Sequence, residues 1–448
     1  MKKSLCLVLA FFIIVSINFR ISFASTYKTS QTEKSYAVFD IKNISGDELD
    51  KFKNDEKVIS WCQIDDKLII TCDETNWPAP PAGFKKMRAF KTAQGLSEPF
   101  LAIRRGQDSP LSEYAKNVVI LFEKGPYSVF QAPMSVINEL SKLENNHFKL
   151  EKFDRNLPLR IDSKYVKLPG RAKSSPAAAI EVNKKRISDN ITALQNFKTR
   201  YSYTDGYTKS AEWAAEEFKK MGLEVKMHEY MDGKNKQINV VAQKSFSSSE
   251  KFYIVCGHLD SVSPKAQTDA PGADDNASGS AGVLEAAHIL SKTASADRFR
   301  FVLFAAEELG LKGSGAYVKE LKNSGEIAKI EGVVNFDMIG FDKTPPLSAL
   351  FETYKNNEAF IANFIEEANN QPNESQRLKI SISYNPWGSD HIPFLRAAVP
   401  CFLFIEEEFE ANTTYHKTTD KIECVNIDLS AEFVRVTVAT LLRLVSGK

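Results

Sequence analysis

From about residue 181 onward, near-continuous apolar runs alternate with amphipathic stretches, and this alternation limits the possible folds more than any other feature of the chain. The runs are "INVVAQ", "FYIVCGH", "FRFVLFAAEE", "IEGVVNFDMIG" and "VPCFLFIEE", separated by stretches such as "KSAEWAAEEFKKMGL". A strand with one wet face alternates apolar and polar residues. Strands that are apolar at every position need cover on both faces, which a mostly parallel sheet between two layers of helices provides. The expected fold class is therefore α/β over 181–448, with a mostly parallel central sheet and helices on both faces. In open sheets of this kind, functional residues gather just beyond the carboxyl ends of the strands.

Residues 25–165 read differently. They carry short strand-like runs ("KLIITC", "NVVILFE", "YSVFQA") and a proline cluster, "NWPAPPAGF", but no catalytic constellation. They are expected to form a smaller α+β N-terminal domain: a propeptide, an accessory domain or a surface-attachment module. The stretch 166–180, with "LPGRAKSSPAAA", reads as a linker, and its basic residues also suit a processing site. A propeptide would leave a mature chain beginning near 168 to 180. Residues 1–24 begin with Lys2 and Lys3, continue through an apolar run from Leu5 to Phe19, and end with the small residues Ser22 and Ala24. That is the pattern of a secretory signal cleaved after Ala24. Arg20 interrupts the run short of the ~20 apolar residues a membrane span requires. A secreted or periplasmic chain with no membrane anchor is expected.

Charge and cysteine content narrow the partners further. The balance of 58 basic against 57 acidic residues, a formal net charge of +1, gives no reason to expect nucleic acid. Five cysteines follow the signal, too few and too odd in number for a disulfide scaffold. Cys62 and Cys72 flank a turn at Asp65-Asp66 and are candidates for pairing across a hairpin. Cys256 lies inside an apolar run and reads as a small buried hydrophobe.

Each apolar run stops at residues able to bind a metal. After "FYIVCG" come His258 and Asp260, and a loop then reaches "PGADDNASG" with Asp274 and Asp275. After "FRFVLFAA" come Glu307 and Glu308, after "GVVNF" comes Asp337, and after "VPCFLFIEE" and a loop comes His416. Singly these residues have ordinary readings, as helix caps, first-turn acids or solvated carboxylates. Together, acids at the ends of several core strands would repel one another unless cations compensate them. Mixed imidazole and carboxylate donors suit zinc. His147, His228 and His288 fall outside this pattern.

The ordered set "GHLDS", "PGADDNASG", "AAEELGLKGS", "NFDMIG", "GSDHIPF" and "YHKTTD" resembles the M28 family of zinc metallopeptidases, its two-zinc aminopeptidases in particular, over about residues 190 to 448. The resemblance implies two zinc ions per chain. His258 and Asp337 would bind one and Glu308 and His416 the other, with Asp275 bridging. It also implies a cis peptide bond after Asp275, Asp260 orienting His258, and Glu307 as the general base for water activated at the two-zinc site. Asp390 and His391 match a family segment lining the same region, and Tyr384 is a candidate oxyanion donor whose offset does not match well. The implied activity is that of an aminopeptidase acting on peptides with a free amino end, working as a monomer. A glutaminyl cyclase-like acyltransferase of the same fold and a carboxypeptidase are the alternatives. The carboxypeptidase would need a basic clamp for the substrate carboxylate, and none is evident in the sequence.

Overall fold

One thirteen-stranded sheet runs through both halves of the chain. The structure, a computed structural model, describes residues 33–447 apart from 75, 107–108, 146, 167–179, 248–249, 344, 372 and 375–376. The signal expected at 1–24 and nearly all of the linker expected at 166–180 lie outside the described residues.

The N-terminal region comprises strands β1 (Lys34–Asp40), β2 (Ser60–Ile64), β3 (Lys67–Asp73), β4 (Lys85–Lys91), β5 (Phe100–Arg104), β6 (Val119–Lys124), β7 (Tyr127–Gln131), β8 (Phe148–Lys152) and β9 (Leu157–Asp162), with helices α1 (Gly46–Lys53) and α2 (Met134–Ser141). The C-terminal region begins with helices α3 (Lys184–Gln195) and α4 (Asp205–Lys220) and the hairpin β10 (Glu224–Asp232) and β11 (Asn235–Gln243). It continues through β12 (Phe252–His258), α5 (Gly279–Leu290), β13 (Phe299–Phe304), α6 (Lys312–Ser324) and β14 (Ile330–Phe336). The remainder is β15 (Ser348–Glu352), α7 (Glu358–Asn369), β16 (Lys379–Ser383), α8 (His391–Arg396), β17 (Cys401–Glu406) and α9 (Ile427–Ser446).

The large sheet has the order β10-β11-β13-β12-β14-β17-β15-β16-β9-β2-β3-β1-β4, and β6-β7-β5-β8 form a separate sheet. At its heart β13, β12, β14 and β17 are mutually parallel, as their apolar runs suggest, and every residue of β12, β13 and β17 is buried. Successive side chains on these strands enter opposite layers. Val255, Phe301 and Leu303 join α3, α4, α5, α7 and α9 on one side, whereas Ile254, Cys256 and Val302 join α6 and α8 on the other. The sheet as a whole is mixed rather than mostly parallel, because β10–β11, β11–β13 and β15–β17 are antiparallel. The parallel expectation rested on the fully apolar runs. It did not count the wet-faced hairpin strand β10 or the short strands β15 and β16.

The two regions meet edge to edge. β9 pairs antiparallel with β16, matching Ile161 to Ile382, and continues the sheet into β2. Arg160 beside this junction donates to Glu410 at 3.2 Å and to the Glu407 carbonyl at 3.3 Å. Arg105 donates to the Trp387 carbonyl at 2.9 Å and to Glu352 at 3.3 Å, both partners being buried. Trp387 itself packs into a core built from β1, β2, β5 and β7.

The hairpin expected at Asp65-Asp66 is present, but it does not join Cys62 to Cys72. Cys62 faces Ile69 across the ladder, and the two thiols enter different cores, Cys62 with Leu101 and Val129 and Cys72 with Ala37 and Phe39. Their offset around a two-residue turn puts them on opposite faces of the sheet. Cys256 is fully buried in β12, as expected. No helix among the described residues is long and apolar enough to cross a membrane.

Candidate metal centre

β12 can end in a histidine aimed at neighbouring strands because the residue before it is glycine. A Cβ at Gly257 would stand 2.8 Å from the Phe336 carbonyl oxygen, so a larger residue would push β12 away from β14. With that approach preserved, His258 Nε2 lies 3.2 Å from Asp275 Oδ1 and 3.3 Å from Asp337 Oδ1. Its Nδ1 is held at 3.1 Å by the main-chain carbonyl of Asp260, with an oxygen of the Asp260 carboxylate at 3.5 Å. That carboxylate has closer partners. It accepts from the Ser202 hydroxyl at 3.1 Å and from the backbone N–H groups of Glu307 and Glu308 at 3.2 Å and 3.3 Å. Asp260 therefore fixes the turn that carries both glutamates, as well as flanking the imidazole.

On the far side of Asp275, His416 Nε2 lies 3.0 Å from Asp275 Oδ2 and 3.0 Å from Glu308 Oε2. Asp275 thus turns one oxygen towards each imidazole. Despite that proximity, His416 Nε2 has no hydrogen bond of acceptable direction, and Glu308 Oε1 has none either. On this side the groups converge on shared space with His416 Nε2 and Glu308 Oε1 unpaired, as donors around a cation do, while on the other side His258 Nε2 shares a hydrogen bond with Asp337 Oδ1. Two sets result: one donor atom each from His258, Asp275 and Asp337 fall within 4.8 Å of one another, and so do those from His147, Glu308 and His416. Imidazole nitrogen with carboxylate oxygen is chemistry that fits zinc.

Much of the scaffold around these donors is main chain held by side chains. The Asp275-Asn276 peptide bond is cis, as the resemblance implied. Both oxygens of Asp420 accept from the loop, from the N–H groups of Asp274 at 2.9 Å and Asp275 at 3.0 Å. Asn276 reaches across to β14, donating to the Phe336 carbonyl at 2.9 Å and accepting from the Met338 N–H at 3.1 Å. Arg200, fully buried, donates to the carbonyls of Leu259, Pro271 and Gly272 at 2.8, 2.6 and 2.8 Å, tying the loop after β12 to the loop before Asp275. Ala306, Met338 and His416 take φ angles of 53°, 52° and 54°. Such angles are rare without glycine, and they persist where surrounding bonds over-determine the backbone.

The remaining candidates are placed as follows. Glu307 is buried beside the donors, and burial holds its carboxyl well above the usual range, with Asp337 and Glu308 adding to the shift and His258 opposing it. Asp390 and His391 lead into α8 and are fully buried, with the Asp390 carboxyl pushed up to about 7 by burial first. It is the neighbouring Ser389 that touches the centre, donating to Asp337 Oδ2 at 2.6 Å while accepting from Asn335 at 2.9 Å. Tyr384 donates its hydroxyl to Glu358 at 2.7 Å. The tyrosine at the donors is Tyr415, whose ring stacks on His416 with centroids 3.9 Å apart.

Sequence reading missed several residues. Asp420 lies within the quoted "YHKTTD", where its acidic character was a usable signal. Ser389 likewise lies within the quoted "GSDHIPF", whereas Arg200 and Ser202 gave no signal, since their partners are distant main chain or side chains. His147 sat in the group set aside as unrelated, and the structure corrects this. The N-terminal region carries it to the Glu308–His416 side of the centre, beside a cavity of about 550 Å³ whose lining includes Arg105, Asn412, Tyr415 and Lys417.

Residues 239–441 match the family model described as Peptidase family M28. That segment, a little under half of the chain, is what is similar to peptidase family M28. The M28 segment contains His258, Asp275, Glu308, Asp337 and His416, and excludes His147 and the whole N-terminal region. Among curated relatives, a probable zinc metalloprotease of Pyrenophora tritici-repentis is 28% identical over 327 residues, covering 58% of this chain and 66% of that protein. An aminopeptidase of Bacillus subtilis is 33% identical over 195 residues, 42% of this chain and 40% of that protein. Among solved structures, the LapA aminopeptidase of Legionella pneumophila aligns with a TM-score of 0.52 at 20% identity, covering 77% of this chain and 98% of that one. LapB from the same organism aligns with a TM-score of 0.54 at 15% identity, over 78% and 99%. At these identities the structural matches speak for the fold alone.

Proposed function

We propose that the chain is an exported, monomeric zinc aminopeptidase that removes the first residue from peptides with a free amino end. The observation that carries this reading is the position of Asp275, one oxygen 3.2 Å from His258 and the other 3.0 Å from His416. A carboxylate so placed suits a bridge between two cations. His258 and Asp337 would hold one zinc and Glu308 and His416 the other. The chemistry supplied by such a pair when bound is Lewis-acid polarisation of a carbonyl and acidification of a water. The match of residues 239–441 to peptidase family M28 and the similarity to an aminopeptidase of Bacillus subtilis support the reaction class.

Glu307 is the proposed general base. It removes the proton from the attacking water and returns it to the leaving amine, and its burial suits that task because a dry carboxyl holds a proton more firmly than a solvated one. Ser389 keeps Asp337 oriented, and Asp260 keeps the Glu307–Glu308 turn from drifting. The cavity beside His416 gives the substrate a place to lie. Arg105 and Lys417 border it, yet Arg105 is engaged by Glu352 and Trp387, so it is not a free clamp for a carboxylate.

The test compares a leucyl anilide with its acetylated form, before and after chelation and zinc return. Cleavage of the free form alone, lost with the metal and restored by zinc, is the expected outcome. Equal cleavage of both forms would reject the aminopeptidase assignment. Glu307→Gln isolates the base: turnover should fall roughly a thousand-fold while bound zinc stays at the wild-type level. A variant that keeps its turnover would remove Glu307 from that role.

A further inference from the structure

The five donors discussed so far come from the C-terminal region, but one of the two donor sets contains a sixth group from elsewhere. His147 lies in the turn leading to β8, in the N-terminal region, and a donor atom of its imidazole falls within 4.8 Å of those of Glu308 and His416. Local bonds fix it there. The Asn145 side chain accepts from the His147 N–H at 2.6 Å and from the Phe148 N–H at 3.0 Å, and the His147 carbonyl accepts from the Arg105 N–H at 2.9 Å. Arg105 is in turn anchored across the regional boundary by Trp387 and Glu352. Next to it, Gly106 has φ +73°, and a Cβ there would stand 2.4 Å from the Tyr415 ring, so the chain is shaped to admit Tyr415 at this point.

The Tyr415 hydroxyl oxygen and His147 Nδ1 share a hydrogen bond at 2.8 Å, and the His147 ring meets the His416 ring edge-on with centroids 4.5 Å apart. Metal-binding histidines are commonly held this way: with Nδ1–H donating to the Tyr415 hydroxyl oxygen, Nε2 would keep its lone pair for an ion. A histidine whose only task was to pack would not need to converge on a carboxylate and a second imidazole.

We propose that His147 is a third donor to the metal position of Glu308 and His416, so that the bound ion latches the N-terminal region to the M28 segment. The proposal rests on the metal reading above. The latch lies beside the cavity assigned to the substrate, so an amine entering to meet that metal position would compete with His147 for it.

The experiment uses the full chain with cobalt(II) in place of zinc and counts hyperfine-shifted histidine ring signals by proton NMR of ¹⁵N-histidine-labelled protein. Three shifted imidazoles are expected, those of His258, His416 and His147, falling to two in His147→Ala. Two in the wild-type chain would overturn the proposal and leave the proposed function intact. No shifted imidazole at all would overturn both. The wild-type count decides even if the variant fails to fold. Zinc affinity is the second readout: against a competing chelator, His147→Ala should bind one of two ions about tenfold more weakly. Unchanged affinity for both ions would also overturn the latch.

Discussion

The two regions of this protein hold the same centre by different means. In the C-terminal region the donors stand at or near the ends of adjacent strands, and the loops between them are tied down through backbone groups, by Asp420, Asp260, Asn276 and Arg200. The N-terminal region meets that centre through side chains on its own turns, and it keeps its place through the β9–β16 ladder, two buried arginines, the Asn385–Glu151 hydrogen bond and Trp387 packed into its core. The first arrangement is local and pre-organised. The second depends on an interface and can be loosened without touching a core strand.

The largest expected effect lies on the local side. Asp275→Ala removes the one carboxylate that faces both imidazoles, and zinc affinity should fall by more than the roughly 100-fold that losing an outer partner costs. Metal analysis of dialysed protein checks this. Retention of both ions would mean that Asp275 does not bridge, and the contrast between the regions would lose its basis.

The interface comes next. Arg160→Met leaves the half-buried Glu410 without its buried partner, and the loss should fall between the ~1 kcal/mol of an exposed pair and the ~3–5 kcal/mol of a fully buried one. Urea denaturation should show the loss, with the zinc content of the folded variant unchanged. If stability falls by less than about 1 kcal/mol, the figure typical of an exposed pair, the interface is wetter than its burial indicates.

How much of this could be read from the sequence follows the same division. The parallel strands β12, β13, β14 and β17 were legible because complete burial demands unbroken apolar runs, and the donors were legible because each stops such a run. Strands β15 and β16 were not, since five-residue stretches such as "SALFE" and "KISIS" carry too few positions for a period to show. The path of β9 was hidden too. Which sheet edge a strand joins depends on the complementary edge, here Ser381 and Ile382, more than 200 positions away. His147 was illegible for the same reason. Its meaning comes from Glu308 and His416, and nothing in "ENNHFKL" refers to them. The converse error was Cys62 with Cys72, where proximity in sequence suggested a contact that the hairpin register forbids.

A smaller effect, confined to the N-terminal region, asks whether the two regions unfold together. Lys53, in the last turn of α1, is buried against the Trp61 ring at 4.2 Å and donates to Gln63 at 2.5 Å. Burial lowers its pKa to about 8, Lys355 of the C-terminal region adds to the shift, and Asp50 opposes it. In the unfolded chain the same lysine keeps its proton up to about pH 10.4. Between these values the unfolded state binds more protons, so stability rises with pH from about 8 to 10 and the burden is fully present below 8. Lys53→Met should therefore stabilise the protein at pH 7 by up to about 3 kcal/mol and flatten that rise. Urea titrations at pH 7, 9 and 10, followed by tryptophan fluorescence and by zinc release, check both points. If the two probes report one transition with the same pH dependence, the regions unfold as a unit. A dependence seen by fluorescence alone would mean that the N-terminal region comes away first, and an unaltered slope in the variant would remove Lys53 as its source.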